Sequence, residues 1–143
     1  MRTIDTATTI AATPDRVWAV LTDFAAYPAW NPFFVAVDGI AEPGAALALH
    51  TKFSDRFAAK VFPVTVDIVD DQRHLRWGGG LAVPRLADGK HGFLLTPTET
   101  GTHLRHYEHL SGIVIPLAGA LLAMLERRYH QLNQALKERA ESG

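Results

Sequence analysis

Residues 113–125 read Ile113-Val114-Ile115-Pro116-Leu117-Ala118-Gly119-Ala120-Leu121-Leu122-Ala123-Met124-Leu125, without a single charge. Pro116 suits the first turn of a helix, where a missing N–H costs nothing. Val114, Ala118, Leu121, Leu125, Leu132 and Leu136 then recur at helical spacing, which predicts a helix from about Pro116 to Glu141. Arg127, Arg128, Gln131, Lys137 and Glu138 fall on the other faces of its second half. The first half is therefore apolar all round and the second half amphipathic. A helix that is apolar all round must be covered on more than one side. Leu121 and Leu125 are accordingly expected to be buried, with this helix the most buried element and in contact with nearly every strand. The uncharged run is shorter than the about 17–25 residues that cross a bilayer, so no stable membrane insertion is expected.

Immediately upstream, Lys90 to Pro97 and Thr102 to Ser111 read as two strands joined by Thr98-Glu99-Thr100-Gly101. A four-residue connection pairs Pro97 with Thr102. It then sets Leu95 opposite Leu104, Phe93 opposite His106, and His91 opposite Glu108. Side chains alternate along a strand, so these residues share one face. Lys90, Gly92, His103, Arg105, Tyr107 and His109 occupy the other, more polar face, which is expected to meet water. The first face is expected to meet the helix, which buries His91, His106 and Glu108 among Phe93, Leu95, Leu104 and Leu110. A buried carboxylate needs a partner, so a histidine is expected beside Glu108.

The rest of the chain supplies more strands. Ile4, Thr6, Thr8 and Ile10 alternate with polar or small residues in a period-two strand. Thr13-Pro14-Asp15 is a helix start with a hydroxyl N-cap, and Val17, Trp18, Val20, Leu21 and Phe24 give that helix a buried side. A second short helix or turn ends at Trp30-Asn31-Pro32-Phe33, where the Asn31 side chain is expected to cap the turn. Strands are predicted over Phe34–Ala41, Leu47–Phe53, Lys60–Val69 and Arg73–Gly79, broken by Glu42-Pro43-Gly44, Ser54-Asp55-Arg56 and Asp70-Asp71-Gln72. Pro63 suggests a bulge or an edge-like gap in pairing. Leu81 to Ala87 reads as a loop whose tip carries Asp88-Gly89, a hairpin signal. An opening strand and helices before a run of strands indicate an α+β fold with an antiparallel meander.

Composition narrows the function. The chain has 143 residues and a net charge of −1, with no cysteine. That is one domain, 1–143, with no electrostatic footprint for nucleic acid. Disulfides and thiolate metal sites are excluded. Met1-Arg2-Thr3-Ile4-Asp5 lacks the apolar core of a signal peptide, so a cytoplasmic location is expected. No cofactor is expected. Monomer and homodimer both fit.

Thr13-Pro14 with Val17-Trp18, then Asp23-Phe24, Tyr27 and Trp30-Asn31-Pro32-Phe33, resembles the opening of the polyketide cyclase/dehydrase group of the SRPBCC superfamily. That superfamily includes START-type lipid-transfer domains and the birch-pollen-allergen fold. Leu75-Arg76-Trp77-Gly78 and the run His91, Phe93, Leu95, Pro97, Gly101-Thr102, His106, Glu108, Leu110 and Gly112 resemble the same group, so nearly the whole chain is covered. The resemblance implies a helix-grip fold. In that fold a seven-stranded curved antiparallel sheet wraps a long C-terminal helix, and two short helices follow the first strand. It also implies a cavity between sheet and helix. An aromatic residue often stands where this chain has Leu110, which would leave a roomier pocket. The resemblance marks no residue as catalytic.

The candidate motifs divide by geometry. His103, His106 and His109 cannot meet one metal from a strand, because His106 points opposite to the other two. Gly78-Gly79-Gly80 lacks the Lys and Ser/Thr of a phosphate loop and reads as a strand end by the cavity mouth. No Ser or Cys sits where it would be activated as a nucleophile. The one constellation with chemical reach is His91, His106 and Glu108, since a histidine beside a carboxylate can move a proton near neutral pH. The favoured reading of the same three residues is a polar patch in which Glu108 satisfies the histidines and which orients a ligand's hydroxyl or carbonyl. The expected lining of the ligand site is Leu49, Trp77, His91, Phe93, Leu95, Leu104, His106, Glu108, Leu110 and Leu121, around a cavity of about a few hundred cubic ångströms. The partner expected is a small hydrophobic or aromatic molecule held by a carrier or sensor. A cyclase- or dehydrase-type enzyme is the alternative. A protein-interaction module is a third class, for which no large charged or apolar patch stands out.

Overall fold

The computed structural model describes residues 2–80, 88–112, 115 and 119–143. Seven strands, β1 (Arg2–Ile10), β2 (Phe34–Asp38), β3 (Ala46–Thr51), β4 (Lys60–Asp70), β5 (His74–Gly80), β6 (Asp88–Thr98) and β7 (Gly101–Ser111), form one antiparallel sheet in the order β1-β7-β6-β5-β4-β3-β2. Helix α1 (Pro14–Thr22) and a 3-10 segment (Phe24–Ala29) follow β1, and α2 (Gly119–Glu141) closes the chain. This is the expected helix-grip arrangement. The β6–β7 register also matches its sequence reading, with Leu95 opposite Leu104, Phe93 opposite His106 and His91 opposite Glu108. The turn is tighter than expected, because Thr98 and Gly101 still pair around Glu99-Thr100.

Local chemistry explains how the elements begin and end. Pro14 opens α1 with Thr13 at the N-cap. The Thr13 side chain makes no capping bond, and its carbonyl instead receives the Val17 N–H at 3.0 Å. Asn31 is buried, and its Oδ1 accepts from the N–H groups of Phe33 at 3.0 Å and Phe34 at 2.9 Å. That bond turns the chain from the 3-10 segment into β2 and sets both phenyl rings into the core, where they are buried.

The structure corrects four expectations and decides a fifth that stood between two alternatives. The helix is described from Gly119 onward, so Val114, Pro116 and Ala118 lie outside the described residues. Within it, burial follows a single stripe: Leu122, Leu125, Arg128, Tyr129, Leu132, Asn133, Leu136 and Ala140. Gly119, Ala120, Leu121 and Ala123 are exposed, Leu121 by 42 %. Among the described residues, the uncharged stretch 119–125 is thus less covered than the rest of α2. Its backbone lies where the sheet opens around a cavity, whereas the second half packs against β1 and α1.

Arg128 is buried rather than on an outer face. Its Nη2 donates to the Lys52 carbonyl at 2.8 Å and the Pro32 carbonyl at 3.4 Å, and its Nη1 to Gln131 Oε1 at 2.9 Å. Fixed carbonyl oxygens replace the water a buried guanidinium would lose.

Asp88-Gly89 is not a turn tip. Both residues lie in β6, paired with Gly80 and Gly79 on one side and with Ser111 and Leu110 on the other. The proposed loop before them, 81–87, lies outside the described residues. Pro63 does not carry the bulge of β4, which falls between Val66 and Ile68. Pro63 pairs in register with Ala48 of β3, while the β4–β5 register ends at Thr65 opposite Gly78, so Pro63 sits at an edge-like gap on that side.

Tyr107, finally, is only 3 % exposed although it is on the outer face. Its ring lies over Gly92, where an added Cβ would collide with the ring itself. The missing side chain at position 92 supplies the space that buries the tyrosine.

Candidate functional site

The concave side of the sheet and α2 enclose a cavity of about 770 Å³. Phe33, Phe34, Leu49, Phe53, Phe62 and Trp77 wall the sheet side, and Leu121, Met124 and Leu125 wall the helix side. Phe57, an exposed residue of the loop between β3 and β4, lies at its edge. Gly78, Gly79 and Gly89 also line it. At position 79 a Cβ would fall 2.8 Å from the Pro63 carbonyl oxygen, so glycine allows β5 to approach β4 there.

The polar residues at the wall include His91, Glu108 and Tyr129. His91 and Glu108 are cross-strand partners, as their register predicts, and His91 Nδ1 lies 3.7 Å from Glu108 Oε2. Glu108 Oε1 accepts a short hydrogen bond from the Tyr129 hydroxyl. Burial, and next the carboxylate of Glu108, push the Tyr129 phenol well above its ordinary value, so it stays a donor. Gly89 makes room for this arrangement, because a Cβ at position 89 would lie 2.8 Å from Glu108 Oε2.

His106 is fully buried one layer behind the wall. It stacks on Phe93 with ring centroids 4.4 Å apart and on Tyr129 at 4.7 Å. Its Nδ1 meets Asn133 Oδ1 at 2.7 Å and its Nε2 meets His91 Nε2 at 2.6 Å. Burial, and then the neighbouring His91, hold its imidazole well below the ordinary histidine range. His91 itself stacks on Trp77 at 5.3 Å with the planes 5° apart. The two imidazoles are therefore clamped by aromatic faces and have little freedom to rotate.

Of the ten residues expected to line the site, Leu49, Trp77, His91, Glu108 and Leu121 reach the cavity. Phe93, Leu95, Leu104, His106 and Leu110 face the same interior but lie in the packed core, off the wall. Strand β1 lies against α2, and His106 of β7 reaches Asn133 of α2, while the cavity lies between α2 and a wall that draws residues from β2 to β7. Sequence reasoning missed Tyr129, Asn133 and Thr6. Tyr129 and Asn133 are four apart on α2 and so share a face, a signal that polar residues on an apolar stripe do carry. His103 and His109 lie on the outer face, and no group of three or more potential ligand residues that could hold a metal occurs among the described residues. No described helix is long and apolar enough to cross a membrane.

A family profile described as polyketide cyclase/dehydrase and lipid transport matches residues 1–141. No curated protein sequence matches the chain. Among solved structures, protein MLL2253 from Mesorhizobium loti is similar at 24 % identity and a TM-score of 0.77, covering 96 % of this chain and 95 % of the other. A START superfamily protein from Mycobacterium smegmatis is similar at 18 % identity and a TM-score of 0.78, covering 98 % and 97 %. The Zhui aromatase/cyclase from Streptomyces sp. R1128 is similar at 19 % identity and a TM-score of 0.78, covering 98 % and 93 %. At such identities the likeness is one of fold.

Proposed function

The chain belongs to the polyketide cyclase/dehydrase and lipid transport family, and from that premise we propose that it binds a small hydrophobic or aromatic molecule inside the cavity between sheet and α2, as a carrier or sensor. The observation that carries this reading is the cavity of about 770 Å³ walled mainly by Phe, Leu and Trp side chains, with a few polar residues, His91 and Glu108 among them, in its lining. Ligand sites are commonly apolar hollows of about 300–1,000 Å³ with a few placed polar groups. The apolar wall supplies affinity by burying ligand surface, and His91 with Glu108 orients the one polar group of the ligand. Titration with an environment-sensitive apolar dye tests it. Saturable binding at one site per chain is expected, weakened by Leu49→Trp, which fills the wall. A dye that never saturates would reject the reading.

A second reading is favoured by a specific observation: His91 Nδ1 faces Glu108 Oε2 across 3.7 Å at the cavity wall. In a cyclase- or dehydrase-type enzyme, His91 would take a proton from the bound substrate and Glu108 would stabilise the imidazolium so formed. The electron pair of the broken bond stays on the substrate. Glu108→Gln separates the two readings, measured against whatever ligand co-purifies. In an enzyme it lowers turnover far more than affinity. In a carrier it weakens binding by about 1–3 kcal/mol and there is no rate to change.

A further inference from the structure

Behind the cavity wall the buried hydrogen bonds run in one direction. Thr6 Oγ1 donates to the His106 carbonyl at 2.7 Å, so toward Asn133 it can only accept. Asn133 therefore turns its Nδ2 to Thr6, at 2.8 Å, and its Oδ1 to His106 Nδ1, at 2.7 Å. An amide oxygen only accepts, so His106 Nδ1 carries a proton. The Nε2 atoms of His106 and His91 meet at 2.6 Å, and that contact holds one proton. A fully buried His106 favours the neutral ring, because burial penalises its charge and His91 adds to the penalty. Its Nε2 is then the acceptor, and the shared proton sits on His91. The nitrogen left to His91 for exchange is Nδ1, which lies at the cavity wall beside Glu108 Oε2.

From this geometry we infer that Asn133 is a positioning residue, which through His106 makes His91 gain and lose its proton at Nδ1 alone, and that the His91–Glu108 pair receives a ligand hydroxyl. The ligand class rests on the cavity reading above; the role of Asn133 does not. Unprotonated Nδ1 and the Oε2 of Glu108 are both acceptors, and the one proton of the Tyr129 hydroxyl is already given to Glu108 Oε1. Among the described residues, the part of the wall formed by His91, Glu108 and Tyr129 thus presents acceptors without a free donor, while Lys60 and Thr51 also line the cavity. A ligand O–H complements it by donating to one of the two. An ether of the same shape sets lone pairs against lone pairs. A site built to accept from a hydroxyl discriminates strongly against the analogue that lacks one.

Two measurements on the full chain test the two halves separately. Long-range ¹H–¹⁵N correlation spectra distinguish protonated from bare imidazole nitrogens. His106 should appear as the Nδ1–H tautomer, and neutral His91 as the Nε2–H tautomer. Asn133→Asp keeps an acceptor and should preserve that pattern, whereas Asn133→Leu should mix the tautomers of both rings. Wild-type His106 found with its proton on Nε2 overturns the role of Asn133, whether or not the leucine variant folds. For the ligand class, 1-naphthol and 1-methoxynaphthalene compete against one apolar dye. The naphthol should bind at least about tenfold more tightly. In Glu108→Gln the Tyr129 hydroxyl holds the amide oxygen, so an NH2 replaces the Oε2 acceptor, and the preference should shift toward the ether. Equal binding of both probes in the wild type overturns the hydroxyl class and leaves the cavity reading standing. Failure of the dye and both probes to bind removes the cavity reading and the ligand class with it, while the tautomers still decide the role of Asn133.

Discussion

The two faces of the β6–β7 hairpin carry similar residue types and treat them in opposite ways. On the outer face, charge is met by opposite charge at the edge of water. Arg105 forks onto the Asp5 carboxylate with both contacts at 2.9 Å, and Asp67 takes Arg76 at 3.0 Å and Lys90 at 2.9 Å. Burial alone would raise the Asp67 carboxyl, but its hydrogen bonds from Arg76 and Lys90 outweigh that and hold it below the usual range. On the inner face, His106, His91 and Glu108 are partnered by an amide, a phenol and each other. There a proton can be placed only where a lone pair awaits it. The outer pairs are exchangeable parts, and the inner ones form a sequence in which each bond fixes the next.

The largest break in this contrast should come from the inner packing. Leu104 is fully buried on the inner face of β7. Leu104→Ala is expected to cost about 2–5 kcal/mol by urea unfolding, since the cavity left behind adds to the lost burial. A loss below about 1 kcal/mol would mean that Leu104 is not packed in the core as described.

Gly92→Ala probes a large side chain, Tyr107, that is buried on the outer face. The new methyl would overlap the Tyr107 ring, which also gives up its 2.7 Å hydrogen bond to His74 if it swings out. Overpacking of this kind costs about 1–3 kcal/mol. Combining it with Tyr107→Ala should recover most of the clash term, and a purely additive double variant would contradict the ring-over-glycine packing.

Acid sharpens the comparison between faces. An unfolded His106 binds a proton at the ordinary histidine pKa of about 6.5, whereas the folded one resists it. Between the two values the unfolded chain holds more protons. The stability from this group is therefore complete above about pH 6.5 and is lost as pH falls below it, with a slope of up to about 1.4 kcal/mol per pH unit. His74 outside is lowered too, by burial first and by Arg76 next, so its contribution has the same sign. Urea midpoints from neutral pH downward should show a slope that His106→Gln flattens more than His74→Gln does. The reverse ranking would place the dominant acid-sensitive histidine outside.

The smallest effect belongs to the outer ion pairs. Arg105 and Asp5 are half-exposed, and Arg105 also rests 4.8 Å over the Tyr107 ring. Arg105→Ala should cost less than about 1 kcal/mol, and the difference should shrink as salt is added. A larger, salt-insensitive loss would show that the arginine acts through the tyrosine rather than the aspartate.

Local rules were enough for the strand faces. Alternation and a short connection placed His91 opposite Glu108 and His106 two residues along, because pairing in a hairpin propagates from its turn. Asn31 was legible as a cap for the same reason, since its partners are two and three residues away. The resemblance in Thr13-Pro14, Trp30-Asn31-Pro32 and the His91–Gly112 run carried the overall architecture, which the strand order bears out.

What only the tertiary structure decided involves distances between elements far apart in sequence. Helical spacing marked Leu121 and Arg128 by residue type, yet Leu121 stands half out of the cavity mouth and Arg128 is buried beneath two backbone carbonyls. Periodicity finds a face, but the curvature of the sheet determines how closely that face is covered. The same curvature separates Leu49 and Trp77, on the cavity wall, from Phe93 and Leu104, in solid core, although all four point inward. Tyr129 and Asn133 meet Glu108 and His106 across 21 and 27 residues of chain, and Thr6 reaches Asn133 across 127. Alternation can say that a buried histidine must have a partner. Which atom supplies it, and so which nitrogen keeps the proton, follows only when α2 is laid across the sheet.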